Sequence, residues 1–323
     1  MRILIPQISQ KIDKKLQELN LRPFIKPADF IRLTKGKKHR YWSVCQTRKG
    51  KKVAFFARLH DNKDASQKFK REVGFLNKIK TQKLDFYQVT PKLIDFGQER
   101  DFEWLIREYI DGLPLGFSRK LKTKIPFKIA PKLTKAIFQI SQTPKSFLKT
   151  IPLKKFDWHY YIKIQNLYFG LVRRGVIKQE TYQKIIKLIQ ARKELLKKEN
   201  HYFSHGDLNL GNIVLGGNNF KIIDWELVHF NNFVYDFTYC WIHLWQAPKN
   251  FRRKFIQTYL GFLSVRQRKV FREILPVVVI YLALGGIVYQ SQEVSKHYLL
   301  ARRKFYLKLL LRALADFEEL IKI

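Results

Sequence analysis

The spacing of apolar residues in the first hundred positions predicts a small antiparallel sheet with one helix. Residues 40–45 and 52–59 are rich in aromatic and aliphatic side chains and are separated by a polar turn that ends in glycine, which indicates a hairpin. From Asp64 onward apolar residues recur at helical spacing, with lysines and arginines on the opposite face. Two further strands are predicted at residues 92–96 and 104–109.

The rest of the chain has mostly helical periodicity. A turn at Asp111–Pro114 predicts a hinge between a β-rich N-terminal lobe, residues 1–110, and a larger helical C-terminal lobe, residues 111–323. The longest apolar run, residues 277–288, is much shorter than the about 20 residues that a bilayer span needs, so a buried helix is expected there. The predicted fold class is therefore α+β.

Length and composition agree with a folded protein of two parts. A chain of 323 residues exceeds what one compact core usually holds, and a hydrophobic content of 46% excludes a disordered chain. Cys45 and Cys240 are too few for a disulfide framework or a cysteine-built zinc site. The first residues also lack the apolar core of a signal peptide, so a cytoplasmic location is expected.

The charge balance is strongly positive. Lysine and arginine total 63 against 26 acidic residues, which gives a formal net charge of +37. Residues 112–156 contain no acid at all. This block is either a solvated basic face or a docking surface for an anionic partner, and the balance as a whole predicts attraction to anionic lipid, nucleic acid or phosphorylated substrate.

One polar stretch carries residues that suit a metal and a phosphate. A loop presents Asp207 and Asn212, and a hairpin with strands at 213–215 and 220–223 is joined by residues that tolerate positive φ. The end of the second strand then brings Asp224 back beside the loop. Two carboxylates and one amide oxygen are ligands of the kind that Mg²⁺ prefers.

This stretch resembles the catalytic segment of the aminoglycoside phosphotransferase and choline kinase family, which is distantly related to protein kinases. The loop has the pattern His-x-Asp-x-x-x-x-Asn from His205 to Asn212, and the hairpin is followed by Asp-x-Glu at 224–226. The resemblance is strongest over residues 201–240 and extends loosely to the N-terminal lobe. It implies a protein-kinase-like fold and phosphoryl transfer from ATP, with Mg²⁺, to a hydroxyl of a small-molecule or lipid-linked acceptor.

The resemblance also implies a role for each matching residue of the C-terminal lobe. Asp207 would be the catalytic base that holds the acceptor hydroxyl. Asn212 and Asp224 would bind Mg²⁺ beside the nucleotide, and Glu226 would assist a second ion or a metal-bound water. Residues implied to support the loop are His205 and Asp236.

The N-terminal lobe fits the family pattern less closely. Glu72 occupies the place of the family's ion-pairing glutamate, whose partner should be a lysine on the preceding strand. Residues 53–59 contain no lysine, and Arg58 is the best replacement because a guanidinium binds phosphate through two hydrogen bonds. Glu108 and Ile110 lie where family members bind adenine through backbone groups.

A non-catalytic module is the competing hypothesis. A pseudokinase that binds anionic membrane or RNA would explain the missing strand lysine and the loop at Thr34–Arg40, which has one glycine and five basic residues counting histidine. That loop either covers phosphates by charge or is a solvated turn. No P-loop, zinc-finger or RNA-recognition pattern occurs, so a dedicated nucleic-acid binder is not expected.

The acceptor is constrained only by charge. Aminoglycosides and choline are cations, whereas this chain has few acids with which to bind a cation. An anionic or membrane-borne acceptor, such as a lipid-linked sugar, fits the balance better, with peripheral contact on the inner face of the membrane. The sequence gives no indication of oligomeric state.

Overall fold

A computed structural model describes residues 5–33, 40–59, 63–82, 84–117, 120–121, 125–156, 169–217, 219–289 and 295–321. The chain forms two compact units. Unit 1 comprises residues 1–112 with the later segments 146–152 and 221–227, and unit 2 comprises residues 113–145, 153–220 and 228–323. The first stretch of unit 1 ends two residues after the lobe boundary expected at residue 110.

Unit 1 contains one antiparallel sheet and several helices. Its helices are α1 (Ile5–Glu18), α2 (Pro27–Leu33), α3 (Lys63–Gln82) and the C-terminal part of α5 (Lys145–Leu148). Its strands are β1 (Leu21–Pro23), β2 (Arg40–Thr47), β3 (Lys52–Leu59), β4 (Leu93–Gln98) and β5 (Phe102–Glu108). The predicted sheet and helix α3 are present, and the structure adds α1 and α2 to them. The basic loop proposed to cover phosphates lies, at residues 34–39, outside the described part of the chain.

The sheet has the strand order β1-β2-β3-β5-β4 and is covered on both faces. Alternation along β3 turns Val53, Phe55 and Ala57 toward one face, where they form a buried cluster with Ile8 and Ile12 of the amphipathic helix α1. Helix α3 packs on the other face, against β3, β4 and β5. Side chains at the even positions of β3 therefore belong to the α3 face.

The segment 221–227 completes the core of unit 1. Trp225 is fully buried and stacks on Phe75 of α3 with a centroid distance of 4.3 Å, and it lies 6.2 Å from the ring of Phe86. Its indole N–H donates to the carbonyl of Ile222 at 2.8 Å. Aromatic packing thus fixes the turn that follows the predicted hairpin, and with it the backbone of the neighbouring Asp224.

Unit 2 is mainly helical. Its helices are α4 (Ile129–Ser141), α6 (Gln179–Ala191), α7 (Lys193–Lys198), α8 (Val234–His243), α9 (Lys249–Phe262), α10 (Val265–Val288), α11 (Lys296–Ala315) and α12 (Phe317–Ile321). Its short strands are β6 (Leu113–Pro114), β7 (Gly116–Phe117), β8 (Lys120–Leu121), β9 (Tyr202–Ser204), β10 (Ile213–Gly216), the start of β11 (Asn219–Ile222) and β12 (His229–Asn231). The predicted hairpin corresponds to β10 and β11. The α+β class is confirmed.

Helix α10 is the core helix of unit 2 and contains the apolar run noted in the sequence. It begins with a capping box between Ser264 and Gln267 and packs against α6, α8 and α11. Among the described residues it is the one helix long and apolar enough to cross a membrane, and 78% of its most apolar stretch is buried within the fold, as in a core helix. At Gly286 an added Cβ would lie 2.3 Å from the ring of Tyr306, so glycine permits the close approach of α11.

Candidate functional site

The loop that carries the predicted base is held by one buried carboxylate of unit 2. Asp236, in the first turn of α8, accepts hydrogen bonds from the hydroxyl of Ser204 at 2.8 Å and from the backbone N–H groups of His205 at 2.6 Å and Gly206 at 3.1 Å. Gly206 adopts φ +85°, a conformation that glycine reaches without strain. The side chain of His205 is fully buried, and its Nδ1 accepts the N–H of Asp207 at 3.3 Å. These two residues therefore support the loop, as their positions implied.

The carboxylate of Asp207 is oriented by two neutral side chains of unit 2. The phenol of Tyr239, on α8, donates to Oδ1 at 2.9 Å, and the amide of Asn212 donates to Oδ2 at 3.3 Å. The same amide group donates to the backbone carbonyl of Asp207 at 2.8 Å. Neutral donors fix the direction of the carboxylate without adding a positive charge, so it keeps lone pairs that can accept a hydroxyl proton.

Asn212 is placed by a short 3₁₀ turn at Leu210–Asn212. The side chain of Asn209 caps this turn by accepting the N–H of Gly211 at 2.7 Å. Asn212 is buried, and its amide nitrogen faces Asp207. In the described part of the chain no group donates a hydrogen bond to its Oδ1. A free amide oxygen of this kind is a suitable ligand for a hard cation.

In unit 1 the partner of Glu72 differs from the expected one. Arg107 on β5 donates to the Glu72 carboxylate at 3.0 Å, and its guanidinium lies 4.5 Å from the centroid of the Phe56 ring. Arg58, which we expected in this role, pairs with another residue. Arg107 takes the place expected for Arg58 because strand alternation turns both side chains toward α3. Of the two guanidinium groups, the one on β5 reaches Glu72. Burial raises the pKa of Glu72 to about 7, against the opposing effect of Arg107.

Arg58 forms an ion pair with Glu226. The Nε of Arg71, on α3, also donates to the backbone carbonyl of Glu226 at 3.1 Å, so two arginines hold the turn after β11. The carboxylate of Glu226 is thus directed to a guanidinium, and its assistance to a metal ion stays a prediction. Asp224, just before this turn, adopts φ +68°, which is rare for a residue with a side chain and is frequently found at functional positions.

The two residues expected near adenine lie at the end of β5 and just beyond it. Glu108 donates its backbone N–H to the carbonyl of Lys92 at 2.8 Å, and its carboxylate accepts the N–H of Lys92 at 3.1 Å and the ammonium of Lys221 at 3.3 Å. Its side chain thus ties β5 to β4 and β11. Ile110 lies in an irregular stretch, and neither of its backbone groups bonds to a described residue.

Each unit therefore brings part of the predicted site together. Unit 2 gathers Asp207 and Asn212, and unit 1 gathers Glu72 and Arg58 on the α3 face of its sheet. Within the described ranges no group of three or more histidine, cysteine, aspartate or glutamate side chains is placed to hold a metal ion. The donor set suits a cation bound by few protein oxygens and by substrate phosphates, as is usual for Mg²⁺.

Two residues of the site, Tyr239 and Arg107, were not predicted from the sequence. Tyr239 lies three residues after Asp236, so helical spacing puts both on the face of α8 that meets the loop. Its place near the loop could have been predicted from this spacing. The sequence distinguished Arg107 in no way from the other basic residues on predicted strands. Its pairing with Glu72 depends on how β5 lies over α3, which no local pattern specifies.

Comparisons with known proteins identify the family and the fold. The model of the phosphotransferase enzyme family (APH) matches residues 32–272. The fold is similar to wild-type aminoglycoside 2′-phosphotransferase-IIIa in its GDP complex (13% identity, 98% of each chain, TM-score 0.58). It is also similar to the streptomycin–ATP complex of APH(2″)-IIa (14%, 99% of each chain, 0.54) and to choline kinase from Cryptosporidium parvum (14%, 98% of this chain and 99% of that chain, 0.53). No curated protein matches the sequence. At these identities the structures establish the protein-kinase-like fold.

Proposed function

We propose a specific reaction for this chain, which belongs to the phosphotransferase enzyme family and is an enzyme that transfers phosphoryl groups to hydroxyl acceptors. In the proposed reaction the γ-phosphoryl group of ATP passes, in the presence of Mg²⁺, to a hydroxyl of an anionic or lipid-linked acceptor. The enzyme works in the cytoplasm, in peripheral contact with the inner face of the membrane.

The orientation of Asp207 carries this proposal. Tyr239 and Asn212 fix its two carboxylate oxygens, while Asp236 holds the preceding backbone. Phosphoryl transfer needs little covalent chemistry from the protein, and catalysis depends on positioning and charge neutralisation. A fixed carboxylate can hold the acceptor hydroxyl in line with the γ-phosphorus and accept its proton as the new P–O bond forms.

The family assignment and the donors present support the proposed nucleotide and metal. Asn212 offers a free amide oxygen, and Asp224 is the carboxylate that the motif assigns to the ion. When bound, Mg²⁺ neutralises charge on the β- and γ-phosphates. Arg58 and Arg107 provide guanidinium groups on the α3 face of the sheet, which compensate for the absence of a lysine within residues 53–59 of β3. The backbone of Ile110 is available for adenine.

The acceptor is proposed from charge. The solved relatives include a streptomycin complex and a choline kinase, and streptomycin and choline are both cations. This chain has 26 acids against 63 basic residues, and several of its buried or half-buried acids already bind arginine, lysine or the Asp207 loop. A cationic acceptor would therefore find few free carboxylates. An acceptor with its own phosphate or carboxylate groups fits the positive field.

Labelled ATP tests the reaction. Purified protein is incubated with γ-labelled ATP and Mg²⁺ together with an aqueous or a lipid extract, and labelled products are separated. We expect transfer by the wild type, none by Asp224→Ala, and a loss of about 100-fold or more for Asp207→Asn. Asp95→Asn removes an equal charge from an exposed position and should behave like the wild type. Near-normal transfer by Asp207→Asn would refute the proposed role.

Vesicle binding tests the membrane contact. We expect co-sedimentation with phosphatidylglycerol vesicles at low salt, release at high salt, and no binding to neutral phosphatidylcholine vesicles, because screening weakens attraction between exposed charges. Binding that is equal on both vesicle types, or absent from both, would remove the case for a membrane-borne acceptor.

A further inference from the structure

A buried arginine in unit 2 has aromatic partners but no anionic one within the described ranges. Arg252, in the first turn of α9, is only 4% exposed, and its guanidinium lies 5.1 Å from the ring centroid of Trp241 and 5.5 Å from that of Phe305. Its Nε and Nη2 are closed to water and find no hydrogen-bond acceptor in the part of the chain that the structure describes. Two donors of a cation are thus left unsatisfied inside a protein core.

This arrangement is costly unless something negative binds to it. A buried charge is normally paired, because its desolvation penalty is several kcal/mol and aromatic faces return only a part of it. Burial lowers the pKa of Arg252 to about 10, and no carboxylate contributes an opposing effect. The group therefore stays protonated at neutral pH and remains a cation without a counterion among the described residues.

A second unsatisfied donor lies beside the same aromatic ring. The indole Nε1 of Trp245 is buried and has no acceptor among the described residues. Trp245 stacks on Phe305 with a centroid distance of 5.2 Å, and Phe305 is the ring that also faces Arg252. The unsatisfied atoms of both side chains are donors. Their natural ligand is a group that only accepts hydrogen bonds.

We propose that Arg252 and Trp245 form a binding site for an oxyanion, namely the phosphate or carboxylate group of a small molecule. Trp241 and Phe305 form the walls, and the half-buried rings of Trp245 and Phe305 are where a ligand would enter. Lys120 adds positive charge near the entrance, since its ammonium lies 5.6 Å from the ring of Tyr298, which in turn is 5.8 Å from the ring of Trp245. The site shares no residue with the Asp207 loop, and its existence does not depend on the phosphoryl transfer proposed above.

Thermal unfolding of the full chain with inorganic phosphate tests the site. Ionic strength is held constant with chloride, so that differences in salt screening of this basic protein do not change its Tm. The wild type should show a saturable rise in Tm, on the order of a few degrees at phosphate well above its Kd. Citrate and glycerol phosphate are run in parallel, and a saturable rise with any of the three supports the oxyanion class.

Variants at position 252 separate binding from packing. Arg252→Met should lose the saturable response and, in chloride alone, should unfold at a temperature equal to or above that of the wild type, because it removes an uncompensated charge. Arg252→Lys keeps the charge but loses the planar fork, and should weaken the apparent phosphate affinity at least tenfold. Arg253→Met removes an exposed neighbouring charge and should respond like the wild type.

Two results would overturn the proposal. One is an unchanged phosphate response in Arg252→Met, and the other is the absence of a saturable response in the wild type to all three anions. A rise in Tm with MgATP should persist in Arg252→Met, since this residue is not assigned to the nucleotide. If MgATP does not raise the Tm of the wild type, the proposed reaction is contradicted. The phosphate response would still test the oxyanion site separately.

Discussion

Replacing Asp236 by asparagine would test how the loop that carries Asp207 is held. The Oδ1 atom accepts hydrogen bonds from Ser204 and Gly206, and Oδ2 accepts the backbone N–H of His205 at 2.6 Å. An asparagine can keep its carbonyl at the Oδ1 position. Its NH₂ group then faces the N–H of His205, so one charge-assisted bond is lost and two donors oppose each other.

The expected loss of stability follows from those bonds. A hydrogen bond to a charged group contributes about 1.5–3 kcal/mol, and a buried donor left unpaired costs about 1–3 kcal/mol. Since Asp236 is 95% buried, neither effect is relieved by water, and we expect Asp236→Asn to lower the free energy of unfolding by about 2–4 kcal/mol. Urea denaturation followed by circular dichroism measures this loss as a lower transition midpoint.

A second buried acid provides the matched control. Glu103 is 3% exposed and accepts one bond, from the hydroxyl of Ser66 at 2.8 Å, while its other oxygen has no partner among the described residues. Glu103→Gln removes the same charge and can keep that bond, so we expect a change of less than about 1 kcal/mol. Equal losses in the two variants, or an Asp236→Asn midpoint within error of the wild type, would refute the reasoning.

Three further predictions concern other parts of the molecule. Tyr239→Phe frees one oxygen of the Asp207 carboxylate, the proposed base, and kcat should fall about 10-fold with little change in the KM for ATP in steady-state assays. Gly286→Ala places a Cβ against the ring of Tyr306 and should destabilise by about 1–3 kcal/mol in urea, whereas Gly285→Ala, with open space, should not destabilise. Because burial raises the pKa of Glu72 to about 7 from 4.5, its ionisation weakens the fold as pH rises. The stability of the wild type relative to Glu72→Gln should therefore fall between pH 5 and pH 8, by up to about 3 kcal/mol, and a constant difference would contradict this.

Local patterns in the sequence predicted much of the fold and of the loop that carries Asp207. The hairpin of β10 and β11 follows from alternation and from turn residues that accept positive φ. The loop from His205 to Asn212 follows from its own residue spacing, and its internal bonds span only a few positions. Helix α1 could also have been predicted, since Ile8, Ile12 and Leu16 recur every four residues, and all three are buried.

The ionic contacts of unit 1 could not be predicted in this way. Glu72 and Arg107 are 35 positions apart, and Arg58 and Glu226 are 168 positions apart. Each pair depends on where a strand lies relative to a helix or a turn from elsewhere in the chain. Strand alternation put Arg58 on the correct face, but it could not decide which of two arginines on that face reaches the glutamate.

The place of Trp225 in unit 1 has a consequence for how the protein is made. Residues 1–112 leave the ribosome more than a hundred positions before Trp225, the ring that fills the space beside Phe75. Until then the aromatic centre of the first unit is unfinished, and nascent chains of intermediate length carry an incomplete apolar interior. Folding of unit 1 is thus coupled to translation of residues that follow part of unit 2, and its core should be completed only once residue 227 has emerged.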